Sequence, residues 1–239
     1  MGVRGWYYLV QGDVRFAVVT YYKRYVDLPT GTVPGLNDYI VITNTGTSFG
    51  GATEDFQSFG YYDMVSNGYG RSYGVEFLLQ KKFSNTPFYG LSSITINKTE
   101  LTANNGVTYP GQYDQRFILN ISGGYKPNAK WEFSAKFRYF TGVPFTPMYI
   151  KGENPQNPNS IQNLPDEYLS GRLEPAHHLD VRVDRYFNFG SSTLTLYVDI
   201  QNIYNYAIPF RPSYNNWDNS ITTTSDIGIL PSLGISWEL

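Results

Sequence analysis

At 239 residues the chain has the length of one large domain or two small ones. Aromatic residues make up 17% of it and charged residues only 16%, against the usual quarter or so, a composition that excludes disorder. Eighteen basic and 20 acidic side chains give a net charge of −2, so there is no positive field to hold a polyanion, and no nucleic-acid partner is expected.

Cysteine is absent, which removes disulfide scaffolds, Cys-ligated zinc and thiol nucleophiles together. No apolar run reaches the length of a transmembrane helix. Strands stay open as a way across a bilayer, because about 9 to 11 residues suffice and every second one can be polar. The opening MGVRGWYYLVQGDVRF lacks the basic, apolar and small-residue sectors of a signal peptide, so the chain is expected to be mature or to lack its true N-terminus.

Alternation with period two recurs from end to end and no helical period is sustained, which predicts an all-β chain. The first predicted strands are 3–10 and 13–25, the second with Phe16, Val18, Thr20 and Tyr22 on its apolar face. A polar excursion follows over 26–70, containing one short extra candidate at 38–44 (DYIVITN) and a Gly- and Tyr-rich stretch at 46–70. Strand 71–84 sets Glu76, Gln80 and Lys82 against Val75, Phe77 and Leu79; a tight link leads to 87–101 and an excursion at 102–113 to 114–126. In 129–141, Trp131, Phe133, Phe137 and Tyr139 share one parity, while Glu132, Lys136 and Arg138 share the other. The long excursion 142–174 precedes strand 176–188, where Asp180, Arg182 and Asp184 alternate with Leu179, Val181 and Val183. Strand 192–206 sets Leu194, Leu196 and Val198 against Asp199, and after the excursion 207–227 the last strand, 228–239, sets Ile235 and Trp237 against Glu238.

These segments reach about a dozen residues, against a usual strand of about 5 or 6. Tight turns alternate with long connections, the asymmetry of outer-membrane barrels with short periplasmic turns and long outer loops. The predicted fold is an antiparallel transmembrane β-barrel segment of 9 to 10 strands. Nine crossings are the wrong parity for an even-stranded barrel with both termini inside, so the chain is expected to be part of something larger. The candidate lining of a hydrated lumen is Glu76, Lys82, Glu132, Lys136, Arg138, Asp180, Arg182, Asp184, Asp199 and Glu238. The candidate lipid-facing set is Trp131, Phe133, Phe137, Tyr139, Leu194, Leu196, Val198, Ile235 and Trp237.

Six segments in order, YGVEFLLQKKF, YGLSSITINKTEL, QRFILNISGGYKPNAKWEFSAKFRYFTGVPFTP, RLEPAHHLDVRVDRYFNFG, STLTLYVDIQNIYN and PSLGISWEL, resemble the C-terminal barrel of TonB-dependent outer-membrane receptors in their Bacteroidota-like form. The resemblance covers most of 70–239. It implies a 22-stranded barrel occluded by an N-terminal plug, importing a scarce ligand such as a ferric siderophore, cobalamin or a glycan. This chain shows no plug and no TonB-contacting box, and it ends in Leu239 where the family usually has an aromatic residue. What the resemblance implies here is the wall and outer loops of such a receptor. Its partners would be outer-membrane lipid, the missing plug and remaining strands, the TonB complex only through that absent plug, and the barrel-assembly machinery through the last strand.

The last long excursion carries the ligand-loop candidates Tyr204, Arg211, Tyr214, Asn216, Trp217 and Asp218, since aromatic faces and amides suit sugars and aromatic chelates. His177, His178 and Asp180 raise a metal site or a His-Asp protease dyad, but adjacent strand residues point to opposite faces, so the two imidazoles do not share one ion. There is no P-loop, no G-x-S-x-G, no H-E-x-x-H and no EF-hand spacing. No catalytic residue, metal or cofactor is expected. Two other readings fit the pattern: a self-contained small outer-membrane barrel, serving as a structural protein, adhesin or surface protease, and a soluble glycan-binding β-sandwich.

Overall fold

The structure is a computed structural model that describes residues 2–43 and 64–239. Within them the chain is all-β, without a helix. The strands are β1 (Gly2–Gln11), β2 (Val14–Gly31), β3 (Met64–Lys81), β4 (Phe88–Thr102), β5 (Thr108–Pro110), β6 (Phe117–Asn128), β7 (Trp131–Phe140), β8 (Pro144–Phe145), β9 (Gly171–Arg172), β10 (Ala176–Phe189), β11 (Ser192–Gln201), β12 (Ser213–Asn215), β13 (Ser220–Thr222) and β14 (Leu230–Glu238). One antiparallel sheet runs β1-β2-β3-β4-β6-β7-β10-β11-β14, with β5 paired to β4; β8-β9 and β12-β13 are small separate ladders in the connections. Long strands succeed one another as neighbours, so each pair is a hairpin or a meander step. The sheet does not close on itself: β1 and β14 are its two edges.

Short turns cluster at one end. Gly12 and Gly190 adopt φ of 60° and 72°, the left-handed geometry tight hairpins need, and glycine takes it without a steric cost. The turn after β6 is held differently, with Asn128 Oδ1 accepting from the N–H groups of Lys130 and Trp131 at 2.8 and 3.1 Å.

Three boundaries differ from the alternation pattern. β2 and β3 continue well past Tyr25 and before Arg71, because the ladder passes through a bulge between Tyr25 and Leu28, where Asp27 takes φ 56° and the face parity breaks. β11 stops at Gln201 and not at 206: Asn202 has φ 51°, and its side chain bonds both the N–H and the carbonyl of Tyr206 at 2.9 and 2.8 Å, closing a turn in place of a strand. Candidate 38–44 is no spanning strand in its described part; Val41 makes an isolated bridge to Thr30, Asp38 and Tyr39 lie in turns, and 44–63 lies outside the described residues.

Among the described residues, neither broad face of the sheet carries a packed apolar layer. Buried apolar side chains among the described residues are few, and the main cluster lies among the long connections, where Tyr39, Ala103 and Tyr109 pack with Ile40, Val41 and Tyr168. The Tyr168 ring meets Tyr39 and Tyr109 edge-on at 4.9 and 5.2 Å. The strands end, and the dry core begins, at the long-connection end.

Candidate functional site

Register assigns every strand position to one of two faces, because antiparallel partners point the same way. Lys136 faces Asp180, Glu132 faces Asp184 and Arg138 faces His178 across β7 and β10. Arg182 faces Asp199 across β10 and β11, and Thr193, on the same parity as Asp199, faces Glu238 across β11 and β14. Glu76 joins them through Thr95 of β4, and Lys82, one residue past β3, lines the same cavity. All ten candidate lining residues therefore share one face or open onto it. That face is not uniformly polar, since Val19, Leu78, Leu91 and Ile118 also lie on it.

The face is concave. A cavity of about 820 Å³ is lined at one side by Gln80 and Lys82 and at the other by Asp199 and Gln201. These residues belong to strands five spacings apart, about 24 Å on a flat sheet, and only curvature brings them around one space. Its walls are organised by two clusters. Glu132 accepts from Tyr89, from the Tyr186 hydroxyl at 2.8 Å and from Lys126 Nζ at 3.3 Å, and the Lys126 ammonium lies 4.5 Å from the Tyr186 ring. Asp184 is buried and receives Arg182 Nη2 at 2.6 Å, while the guanidinium lies 3.9 Å over Tyr197. Asp199 Oδ1 is buried without a partner.

The opposite face carries all nine lipid-facing candidates: Trp131, Phe133, Phe137 and Tyr139 on β7, Leu194, Leu196 and Val198 on β11, and Ile235 and Trp237 on β14. It is uncovered; Ile235 keeps 74% of its surface exposed and Phe133 keeps 43%. Aromatic side chains on it form two bands. Near the short turns Phe88 stacks on Tyr125 at 4.7 Å, Trp131 on Phe133 at 6.1 Å and Phe189 on Trp237 at 5.9 Å. Near the long connections Tyr22 stacks on Tyr73 at 6.4 Å, and Phe117 meets Tyr139 at 5.9 Å. On β6 the two bands are Phe117 and Tyr125, eight residues or about 27 Å apart along the strand.

Charged residues also occur on this face, and alternation did not single them out. Among the described residues each lies at an end: Lys81 and Arg185 by the short turns, Arg24, Arg71, Lys98 and Glu100 by the long connections. The Arg185 guanidinium lies over the Trp131 and Phe187 rings, at 4.7 and 5.2 Å, a cation–π arrangement at the short-turn end of the face.

The six loop candidates fall in three places. Tyr204 bonds His177 Nδ1 at 2.8 Å, on a His ring that stacks over Tyr206 at 4.0 Å. Burial pushes the Tyr204 hydroxyl above its ordinary pKa. Arg211 docks its loop by donating to the Gln112 carbonyl at 2.6 Å, 5.5 Å over the Tyr113 ring. Tyr214, Asn216, Trp217 and Asp218 belong to the hairpin β12-β13, where Tyr214 bonds Asn219, Asp218 accepts from Ser220 Oγ at 2.6 Å, and Trp217 at the tip is almost wholly exposed. Asn219 anchors this hairpin to the 141–175 connection through both backbone groups of Lys151, at 3.1 Å each.

His177 and His178 point to opposite faces, His178 lying 3.8 Å from Asp180. Asp180 also accepts from the Asn202 N–H at 3.0 Å. Among the described residues no group of three or more His, Asp or Glu is placed to hold a metal ion.

One organising site escaped sequence reasoning altogether. Asp114 has a fully buried carboxylate that receives the Thr99 N–H at 2.8 Å and Arg172 Nη2 at 2.8 Å; Arg172 Nη1 also donates to the carbonyls of Asp114 and Gly142, at 2.5 and 2.8 Å. The pair ties the 103–116 connection to the 141–175 connection across 58 residues of sequence. No spacing pattern announces such a contact.

A scan against protein-family models and a search of the curated proteins found no match to this chain.

Proposed function

We propose that the chain is part of the wall and outer loops of an outer-membrane receptor barrel resembling the TonB-dependent class, acting in ligand uptake and not in catalysis. The carrying observation is the confinement of charge on the apolar face to its two ends. An Arg or Lys facing lipid at the midplane costs about 2 to 4 kcal/mol and almost nothing at the interfaces, so a lipid-facing surface acquires this distribution. A face wetted along its whole length has no reason to. The two aromatic bands and the alternation of short and long connections agree with it.

On this reading the concave face lines a hydrated lumen, and the long connections form the outer surface on which a ferric chelate, cobalamin or glycan first lands. The unpaired β1 and β14 edges await further strands, since open edges in lipid cost several kcal/mol per unsatisfied group. A soluble sandwich needs a second apolar layer over Phe133, Leu196 and Ile235, and a self-contained small barrel needs β1 on β14; the described residues supply neither.

The absence of native cysteine makes topology directly measurable. With the chain expressed in outer membranes of a Gram-negative host together with the strands that complete its barrel, a cysteine at Trp217→Cys should react with an impermeant maleimide on intact cells, and one at Asn85→Cys only after permeabilisation. Labelling of both on intact cells, or release of the chain without detergent, overturns the reading. Loss of energy-dependent uptake of one labelled ferric chelate, cobalamin or oligosaccharide on deletion would then name the ligand class.

A further inference from the structure

We infer that the 154–164 segment, in the connection between β8 and β9, is a subsite for an uncharged oligosaccharide; this names the ligand class of the outer loops and rests on the reading that they meet the ligand first. The segment folds around one side chain. Asn154 is almost wholly buried and uses its amide in full: Nδ2 donates to the Ser160 carbonyl at 3.0 Å and to Asn163 Oδ1 at 2.8 Å, while Oδ1 accepts from the N–H groups of Gln156 and Asn157 at 3.0 and 3.2 Å. The Gly152 N–H donates to the Pro158 carbonyl and the Tyr149 N–H to the Ile161 carbonyl, each at 2.8 Å, closing the segment on itself. Asn163 is held in turn by Glu167, its Nδ2 donating to Oε2 at 3.1 Å.

A loop satisfied from within leaves its other amides outside. Gln156 is exposed and Gln162 half-buried, and among the described residues neither side-chain amide makes a hydrogen bond. They edge a cleft of about 350 Å³ whose lining also includes Asn157, Ser160, Ile161 and Leu164. Because Asn154 fixes the segment before any ligand arrives, the ordering cost of binding is small.

The lining selects the occupant. Every residue on it is uncharged, so a charged ferric chelate or a phosphate finds no counter-ion and loses water for nothing. A sugar ring needs what is present: amides that both donate and accept for its hydroxyls, and branched apolar groups for its C–H face. The volume is at the low end for small-molecule sites, room for a sugar unit and not for a corrin. A second foothold lies on the hairpin joined to this connection. Trp217 is 98% exposed at its tip, and Asn219 bonds that hairpin to both backbone groups of Lys151. An indole so presented stacks on the apolar face of a sugar, and two footholds on one ordered unit favour an oligomer over a single ring.

The test uses the chain together with the strands that complete its barrel, extracted from outer membranes in a non-ionic detergent. It is titrated with maltohexaose, cellohexaose, xylohexaose and mannohexaose, and with hexagalacturonate as the anionic counterpart. At least one neutral hexasaccharide should bind about tenfold or more tightly than hexagalacturonate. Gln156→Ala combined with Gln162→Ala should weaken it about tenfold, and Trp217→Ala by roughly threefold or more. Gln162→Glu, which keeps the shape and adds a charge, should also weaken it and serves if the double variant fails to assemble. Binding of none of the four, equal binding of hexagalacturonate, or binding that the glutamine variants leave unchanged overturns the site. So does tighter binding of ferric enterobactin or cyanocobalamin that the same variants abolish. Equal labelling of Trp217→Cys and Asn85→Cys on intact cells overturns the uptake reading itself, an outcome separate from correct topology without oligosaccharide binding.

Discussion

Asp13 occupies the turn between β1 and β2 and fastens it to the turn after β3. Its carboxylate accepts from Lys81 and Ser84, and its carbonyl accepts from the Lys82 N–H at 2.9 Å. The hydrogen bond from Lys81, then that from Ser84, hold its pKa down to about 2. A group ionised to lower pH in the folded than in the unfolded chain contributes fully above the ordinary carboxylate range, and the contribution is lost as pH falls toward 2. Asp13→Asn should therefore flatten the fall in melting temperature between about pH 4 and pH 2 and leave the neutral-to-alkaline profile unaltered in shape. At the other end of the strands the decisive residue is Arg172. With the Asp114 carboxylate fully buried and Arg116 a loose 3.4 Å away, Arg172→Met strands a charge and should cost about 3 kcal/mol in urea unfolding. Faster protease cleavage within 103–116 and 141–175 should accompany it. Neither residue was legible in the sequence, because both act through partners far along the chain, and periodicity reports only on neighbours.

Alternation did better with elements than with single residues, for a physical reason. A strand that separates two environments must repeat every second side chain, so β1, β4, β6, β7, β10 and β14 were readable to within a few residues. Where the rule is broken by a bulge, as at Asp27, or by an asparagine that bonds its own turn, as at Asn202, the predicted ends were wrong. The short ladders β8-β9 and β12-β13 were invisible, being too brief to alternate. Ile121 and Ser122 test the two faces with adjacent positions, since Ile121 lies midway between the aromatic bands and Ser122 lines the cavity. Ile121→Arg should lower folding stability in bilayers by about 2 to 4 kcal/mol, whereas Ser122→Arg should cost well under half as much. Equal penalties would mean that both faces see the same solvent.

For the molecule as a whole, the candidate loop residues did not converge as a linear stretch suggests: Tyr204 serves the strand rim, Arg211 fastens a connection and Trp217 stands alone at a tip. What draws the connections together is water-driven burial of the Tyr39, Tyr109 and Tyr168 rings, while the wall below them buries no comparable core. The open sheet carries one more consequence. β1 and β14 both run toward the short-turn end, since nine antiparallel long strands put five in one direction and four in the other and leave the outermost two aligned. Joining them directly, or joining two copies inserted the same way up, makes a parallel seam in an otherwise antiparallel cylinder. On the proposed barrel reading, a complement that zips onto both margins in antiparallel fashion must itself contribute an odd number of staves, so a twofold assembly of this chain with itself would not close the cylinder.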